Sequence, residues 1–135
     1  MRRLLLVVVL VVCAGCPSEP PPACITPAVD TSCAPGYVPT FTNVYNNTLK
    51  NTCGSTMSAC HSARGRAGGL SFEDQETAYE QLMLEGRVKP GDPSCSEMIV
   101  RTSSPGEDYQ MPPGDPLSPE ARCALIQWVQ QGAMP

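Results

Sequence analysis

The stretch Cys53-Gly-Ser-Thr-Met-Ser-Ala-Cys60-His61 decides how the rest of this chain is interpreted. His61 is the only histidine in the sequence, and it directly follows a cysteine. The nearest upstream cysteine is Cys53, and six residues separate it from Cys60. A histidine beside cysteines, in a short chain with eight cysteines, indicates a cofactor, a metal or a disulfide site.

The Cys60-His61 pair forms the second half of the Cys-x-x-Cys-His motif, by which c-type haem is attached to protein. In that motif each cysteine sulfur binds a vinyl group of the haem, and the histidine reaches the iron. Here Met57 stands where the first cysteine belongs. The residues therefore leave three hypotheses open: a haem site with a longer loop from Cys53, a haem site held by Cys60 alone, or a Cys53–Cys60 disulfide.

The start of the chain predicts export from the cytoplasm. A basic beginning, Met1-Arg2-Arg3, precedes an apolar run at positions 4–12, which is too short to span a bilayer about 30 Å thick. The small residues before Cys16 resemble a bacterial lipoprotein signal, which implies removal of a signal peptide, residues 1–15, and lipidation of Cys16. We expect a membrane-anchored lipoprotein in the periplasm or on the outer face. An ordinary secreted protein is the alternative.

The composition predicts one small, loop-rich domain. The 135 residues include 15 prolines and 11 glycines, which favour long loops and short helices. Aromatic residues make up only 5% of the chain, so the core depends on aliphatic side chains or on a cofactor. Removal of residues 1–15 takes away two arginines and no acidic residue, so the net charge moves from −4 to −6. A chain this acidic offers no basic patch for nucleic acid.

Residues 16–39 are interpreted as a Pro-rich tether between the anchor and the domain, since they show neither helical nor strand periodicity. Cys24 and Cys33 lie close together in this tether, which predicts a local Cys24–Cys33 disulfide. Cys95 and Cys123 both fall early in predicted short helices, which predicts a second disulfide, Cys95–Cys123.

Four short helices are predicted in the remaining residues, 40–135. Apolar spacing indicates a helix from residue 41 to about 51, with Thr40 or Thr42 as its cap, and a second helix over 73–84. Asp92-Pro93 and Ser118-Pro119 each place a capping side chain before a proline, and predict helices from 93 to about 101 and over 119–131. The predicted fold class is therefore mainly α, with long loops and disulfides.

With these elements in place, the chain resembles a class I c-type cytochrome domain, of the small type found in Planctomycetes and Myxobacteria. The resemblance covers residues 41–133 and implies a small cytochrome c-like helical fold for residues 40–135. It rests on five motifs: Cys60-His61, Gly68-Gly69-Leu70, Val88-Lys89-Pro90-Gly91-Asp92-Pro93, Met111-Pro112-Pro113-Gly114 and Ile126-Gln127-Trp128-Val129-Gln130-Gln131-Gly132-Ala133.

The resemblance also implies haem c, bound covalently through Cys60 and, across the longer loop, through Cys53. His61 would be the proximal ligand of the iron. Met111 would be the distal ligand, whose soft thioether favours reduced iron. With both axial positions filled, the protein would not act as an enzyme on a bound substrate. Its expected function is one-electron transfer to a redox partner whose identity the sequence leaves open.

The haem-free alternative is a disulfide-stapled lipoprotein domain that serves as a structural or interaction module. In that case a Cys53–Cys60 disulfide would accompany the other two predicted disulfides, and His61 would lie at the surface. A third hypothesis is an accessory subunit beside a larger redox enzyme. A zinc site at Cys53, Cys60 and His61 lacks a fourth ligand and the usual spacing.

Overall fold

The computed structural model describes residues 20–54 and 60–135 of the chain. The predicted signal peptide and the predicted lipidation site, Cys16, lie outside these residues. The described residues form helices, turns and loops and contain no strand, so the prediction of a mainly α fold with four short helices is confirmed. Within the same residues, no helix is long and apolar enough to cross a membrane.

The first helix is α-helical only at its start. Helix α1, Phe41–Val44, begins after Thr40, whose hydroxyl accepts a hydrogen bond from an amide in the first turn. It continues directly into a π-helix over Tyr45–Cys53. The Gly54 amide closes this π-helix by donating to the Leu49 carbonyl at 2.8 Å. A π-helix has a wider turn than an α-helix and is often found at functional sites. The sequence predicts the place of this helix but not its winding.

Three further helices follow along the chain: α2 over Gln75–Leu84, α3 over Glu97–Thr102 and α4 over Pro119–Gln130. Asp74 and Ser118 cap α2 and α4, because each side chain accepts a hydrogen bond from an amide in the first turn. The helix predicted to begin at residue 93 is divided into a 3₁₀ turn over Pro93–Cys95 and α3. Ser96 lies fully buried at this break, where its hydroxyl donates to the Asp92 carbonyl at 2.8 Å.

An aromatic cluster joins the first helix to the last at the centre of the core. The Phe41 ring of α1 lies 5.0 Å from the Trp128 ring of α4 and 5.1 Å from the Tyr79 ring of α2, measured between centroids. The Trp128 indole donates to the Met134 carbonyl at 2.8 Å, and the Tyr79 hydroxyl donates to the Ala133 carbonyl at 3.1 Å. Both rings therefore pack in the core while their polar atoms hold the end of the chain.

Residues 20–39 form a strap that lies against the helical domain. The Ile25 amide donates to the Ser94 carbonyl at 2.8 Å, and the Gly36 amide donates to the Glu120 carbonyl at 3.2 Å. The Gln127 side chain of α4 donates to a strap carbonyl at 2.7 Å. The strap therefore runs along the domain from the turn before α3 to the face of α4.

Two disulfides fasten the strap, and their pairing differs from the prediction. Cys24 is bonded to Cys95, and Cys33 is bonded to Cys123, with S–S distances of 2.04 and 2.03 Å. The predicted Cys24–Cys33 and Cys95–Cys123 disulfides are therefore wrong. The prediction paired cysteines that are close in sequence. The strap instead lies along the surface, so each of its cysteines meets a different element of the helical domain.

Candidate functional site

A cavity of about 370 Å³ opens at the end of the π-helix. Its walls come from the π-helix, the loop after Cys60, helix α3 and the loop that carries Met111. Much of the wall is apolar, including Leu49, Leu70, Phe72, Leu82 and Pro112. A concave, mainly apolar space of this size, with a few polar groups at its edge, is typical of a small-ligand or cofactor site.

Four residues singled out from the sequence line this one cavity: Cys53, Cys60, His61 and Met111. They lie on separate elements, because Cys53 ends the π-helix, Cys60 and His61 begin the following loop, and Met111 belongs to a loop after α3. The fold therefore brings a thioether, an imidazole and two cysteine side chains to one apolar space. Among residues 20–54 and 60–135, no group of three or more His, Cys, Asp and Glu side chains could hold a metal ion.

The His61 ring is held against Phe72 and, through it, against the end of the π-helix. The two ring centroids are 4.9 Å apart, and the Phe72 amide donates to the His61 carbonyl at 2.9 Å. Phe72 also lies directly beside Gly54, where an added Cβ would be 2.6 Å from the Phe72 Cβ. Only a glycine fits at this position without a shift of its neighbour. We call Gly54, Phe72 and His61 the histidine stack.

Burial lowers the pKa of His61 below its ordinary value of 6.5. The backbone of Leu70 and Ala67 acts in the opposite direction, whereas the positive charges of Arg101 and Arg87 lower the pKa further. At neutral pH the imidazole is therefore uncharged, which is the form that binds metal ions. Its Nδ1 atom is buried and has no hydrogen-bond partner in the part of the chain that the structure describes.

The two cysteines of the cavity lie on opposite sides of the segment 55–59, which the structure does not describe. Burial raises the pKa of the Cys53 thiol to about 12, and the nearby Cys60 contributes to the shift. Because the thiolate is the reactive form of cysteine, Cys53 has low reactivity at neutral pH in this environment. The Ala67 amide donates to the Cys60 carbonyl at 2.7 Å, which closes the loop that presents Cys60 and His61.

The Met111 loop is held in shape by the side chain of Gln110, which is only 7% exposed. Its amide nitrogen donates to the Pro112 carbonyl at 2.8 Å and to the Gly114 carbonyl at 3.0 Å. Its carbonyl oxygen accepts from the Gly106 amide at 2.6 Å. The backbone on both sides of Met111 is therefore fixed by one buried side chain, and the loop presents Met111 in a defined position.

A charged cluster of Arg87, Glu97 and Arg101 interrupts the apolar wall of the cavity. Both arginines form ion pairs with Glu97, Arg101 through its Nε at 2.8 Å and Arg87 through its Nη1. Burial acts to raise the pKa of Glu97, but the hydrogen bonds and charges of Arg101 and Arg87 outweigh it and hold the pKa below its usual value. Glu97 therefore stays ionised at neutral pH.

Three features of the site were not predicted from the sequence: Phe72, Gln110 and the charged cluster. Glu97 and Arg101 are four residues apart on a predicted helix, and this spacing was a signal for an ion pair. No comparable signal marked Phe72 or Gln110, because their roles depend on contacts between loops that the local sequence does not encode.

Part of the chain matches the model of a known family. Residues 58–115 match the family model of Planctomycete cytochrome C. The matched stretch contains Cys60, His61 and Met111, and it spans α2, α3 and most of the cavity wall. No curated protein and no solved structure matches the chain.

Proposed function

We propose that the protein is a haem c protein that carries single electrons, because residues 58–115 match the family model of Planctomycete cytochrome C. The family indicates an electron carrier rather than an enzyme. In this proposal Cys60 forms a thioether with the haem, and Cys53 is the candidate for a second one. His61 and Met111 would be the residues that hold the iron. When bound, haem supplies a one-electron redox couple, whose potential is set by its ligands and by the burial of the site.

The observation that carries the proposal is the meeting of Cys53, Cys60, His61 and Met111 on one apolar cavity. The residues fit haem in three respects. The partly buried imidazole is neutral, and its buried Nδ1 atom has no protein partner among the described residues. A thioether, which is a soft ligand for iron, lines the same space. The surrounding wall is mainly apolar, as burial of a tetrapyrrole requires.

The remaining residues of the site position these ligands and exclude water. Phe72 packs on the His61 ring and limits its rotation. Gln110 fixes the backbone beside Met111 and so limits the positions that the thioether can take. If His61 and Met111 both held the iron, no ligand position would remain for a substrate, which supports electron transfer rather than catalysis.

Substitution of the two cysteines tests the proposed attachment. The full chain is produced in a host that attaches haem to exported proteins, and the haem that remains after denaturation is measured by absorption and by mass. Cys60→Ser is expected to abolish covalent haem. Cys53→Ser is expected to change the absorption maximum of the reduced denatured protein if Cys53 forms a second thioether, and to leave it unchanged if Cys60 acts alone. Full covalent loading of Cys60→Ser would contradict the assignment.

The two methionines of the cavity provide a matched test of the distal ligand. Met111 and Met98 both line the cavity, but Met98 lies on α3 and outside the Met-Pro-Pro-Gly loop. In the loaded protein, Met111→Ala is expected to remove the weak red absorption band of thioether-bound ferric haem and to lower the midpoint potential. Met98→Ala is expected to keep the band. The reverse result would transfer the ligand role to Met98.

The haem-free alternative, a disulfide-stapled structural or interaction module, is not favoured. It gives no role to the cavity that His61 and Met111 share.

We also propose that the protein is exported and held at a membrane by lipid on Cys16. The support comes from the sequence of residues 1–16, which lie outside the described residues. Cys16→Ser is expected to move the protein from the membrane fraction to the soluble fraction of its host. An unchanged membrane fraction would show that Cys16 is not the anchor.

A further inference from the structure

A second cavity, of about 380 Å³, lies where the strap begins. It is lined by the first described residues of the strap, 20–23, and by the charged cluster of Arg87, Glu97 and Arg101. Lys89, which is exposed, belongs to the same lining. We call the residues around this second cavity the strap face. The charged cluster also lines the candidate haem cavity, so the two cavities share this part of their walls.

The strap face carries a surplus of positive charge on an acidic protein. Arg87, Lys89 and Arg101 supply three positive charges, and Glu97 is the only acidic residue among the described residues that line the second cavity. Asp92, the acidic residue nearest to Lys89 along the chain, caps the next turn and does not line this cavity. The chain after residue 15 has a net charge of −6. Charges more than about 8 Å from a membrane are largely screened at physiological salt, so the local surplus decides which face an anionic surface attracts.

The link between the strap face and the proposed lipid anchor is short. Four residue steps separate Cys16 from Pro20, the first described residue, and a link of this length spans at most about 14 Å when fully extended. It carries one acidic residue, Glu19, which still leaves a positive surplus near the anchor. The Cys24–Cys95 disulfide then fastens the strap to the domain, and Cys95 itself lines the second cavity. Lipid on Cys16 would therefore keep the start of the strap within about 14 Å of the bilayer surface.

We infer that the strap face docks on the phosphate headgroups of an anionic bilayer. The inference rests on the proposed lipid anchor at Cys16 and does not depend on haem. The anchor holds a bilayer next to this face at a high effective concentration, which no soluble anion matches. Ammonium and guanidinium groups bind phosphate, and basic residues next to a lipid anchor strengthen its hold on anionic membranes. Because the two cavities share the charged cluster, docking places the candidate haem cavity beside the membrane surface.

Amine labelling of the lipidated full chain tests this docking, because only two lysines are present: Lys89 on the strap face and Lys50 on the π-helix. Both are exposed, and Lys50 lines neither of the two cavities, so it serves as an internal reference. The protein is placed in vesicles of phosphatidylcholine alone, or of equal parts phosphatidylcholine and phosphatidylglycerol. Labelling by a membrane-impermeant ester is followed by mass spectrometry. We expect labelling of Lys89, relative to Lys50, to be at least about fivefold slower in the anionic vesicles, which is the factor that one basic residue provides at an anionic surface.

Salt and flotation provide the controls. At about 1 M salt the screening length falls to about 3 Å, and the difference between the two kinds of vesicle is expected to disappear. Equal relative labelling of Lys89 in both kinds of vesicle at low salt would overturn the inference and leave the anchor standing, as would slower labelling of Lys50 in place of Lys89. Flotation with the vesicles is measured first for the wild type and for Cys16→Ser. If the wild type does not float, the proposed anchor fails and the inference fails with it, whereas the covalent-haem assay tests electron transfer separately.

Discussion

Gly54→Ala is the substitution whose effect on the site follows most directly from the structure. The new Cβ would lie 2.6 Å from the Phe72 Cβ, 2.7 Å from its carbonyl oxygen and 2.9 Å from its carbonyl carbon. Ordinary contacts of a Cβ begin at 3.4 Å, so Phe72 or the end of the π-helix must move by about 0.8 Å. Two of the three contacting atoms belong to the Phe72 backbone, which cannot rotate away as a flexible side chain does.

The expected loss of stability is about 1.3 kcal/mol, the difference between two opposing effects. Overpacking of a rigid site costs about 2 kcal/mol, the middle of its usual range, and the reduced freedom of the unfolded chain returns about 0.7 kcal/mol for a glycine-to-alanine change. For a domain of this size, each kcal/mol corresponds to a shift in Tm of about 4–8 °C. We therefore expect the midpoint of thermal unfolding to fall by roughly 5–10 °C.

The same displacement should reach His61, because Phe72 packs on its ring and donates to its carbonyl. His61 is the only histidine, so its two imidazole carbon-bound protons can be assigned in the NMR spectrum of an untagged protein without ambiguity. We expect Gly54→Ala to move these resonances clearly, since the ring current of Phe72 changes with its position.

Gly106→Ala is the matched control for this prediction. Gly106 has a positive φ of 87° and open space around its Cβ position, so alanine there strains the backbone without pushing on a neighbour. We expect Gly106→Ala to lower stability by about 1 kcal/mol and to leave the His61 resonances unchanged. If Gly54→Ala unfolds at the same temperature as the wild type and its His61 resonances do not move, then Gly54 does not hold Phe72 and His61 in place.

Three further predictions concern the disulfides, the Met111 loop and the charged cluster. Replacement of Cys33 and Cys123 by serine opens a loop of about 37 residues, counted along the path through the other disulfide, and should lower the free energy of unfolding in urea by about 4 kcal/mol. A loss below about 1 kcal/mol would show that this disulfide does not fasten the strap. Gln110→Ala removes three hydrogen bonds, so it should lower the free energy of unfolding by about 1–3 kcal/mol and weaken the red absorption band of the haem-loaded protein. An intact band and unchanged stability would show that Met111 does not depend on the Gln110 side chain for its position. The pKa of Glu97 is held below its ordinary value of 4.5, so its contribution to stability is present above that pH and is lost as the pH falls through the lower folded value. The wild type should therefore lose more stability than Glu97→Gln between about pH 5 and about pH 3. Equal losses in the two proteins would contradict a stabilising role of the ion pairs.

The helices could be predicted because their signals are local. Asp74 and Ser118 mark helix starts by their own capping hydrogen bonds, and the apolar spacing around Trp128 marks the buried face of α4. The π-helix over Tyr45–Cys53 has no such signal, since its apolar spacing is compatible with either winding over two turns. Sequence spacing therefore placed Cys53 near the site without giving its orientation.

The disulfides could not be predicted because they depend on the path of the strap. Residues 20–39 have no periodicity, so nothing in the sequence indicates that the chain returns along α4. Hydrogen bonds from Ile25 to Ser94 and from Gly36 to Glu120 decide that path, and they join residues far apart in the chain. Proximity in sequence was the only guide, and it selected the wrong partners for all four cysteines.

In the candidate site, too, some residues could be predicted from the sequence and others could not. Cys60, His61 and Met111 were found because motifs carry them, and the structure places all three on one cavity. Phe72, Gln110 and Arg87 act through contacts with other loops, so no local pattern could reveal them. The residues proposed to bind haem were thus readable from the sequence, and the residues that position them were not.

Whether haem is covalently attached is decided by the visible absorption spectrum of the denatured wild-type protein. The full chain is expressed in a host that attaches haem to exported proteins, beside a cytochrome known to load in that host, and it is purified and unfolded before the spectrum is recorded. We expect a red protein that keeps its haem spectrum on unfolding, with a mass increased by one haem. A colourless protein of unmodified mass, beside a fully loaded control, would contradict it.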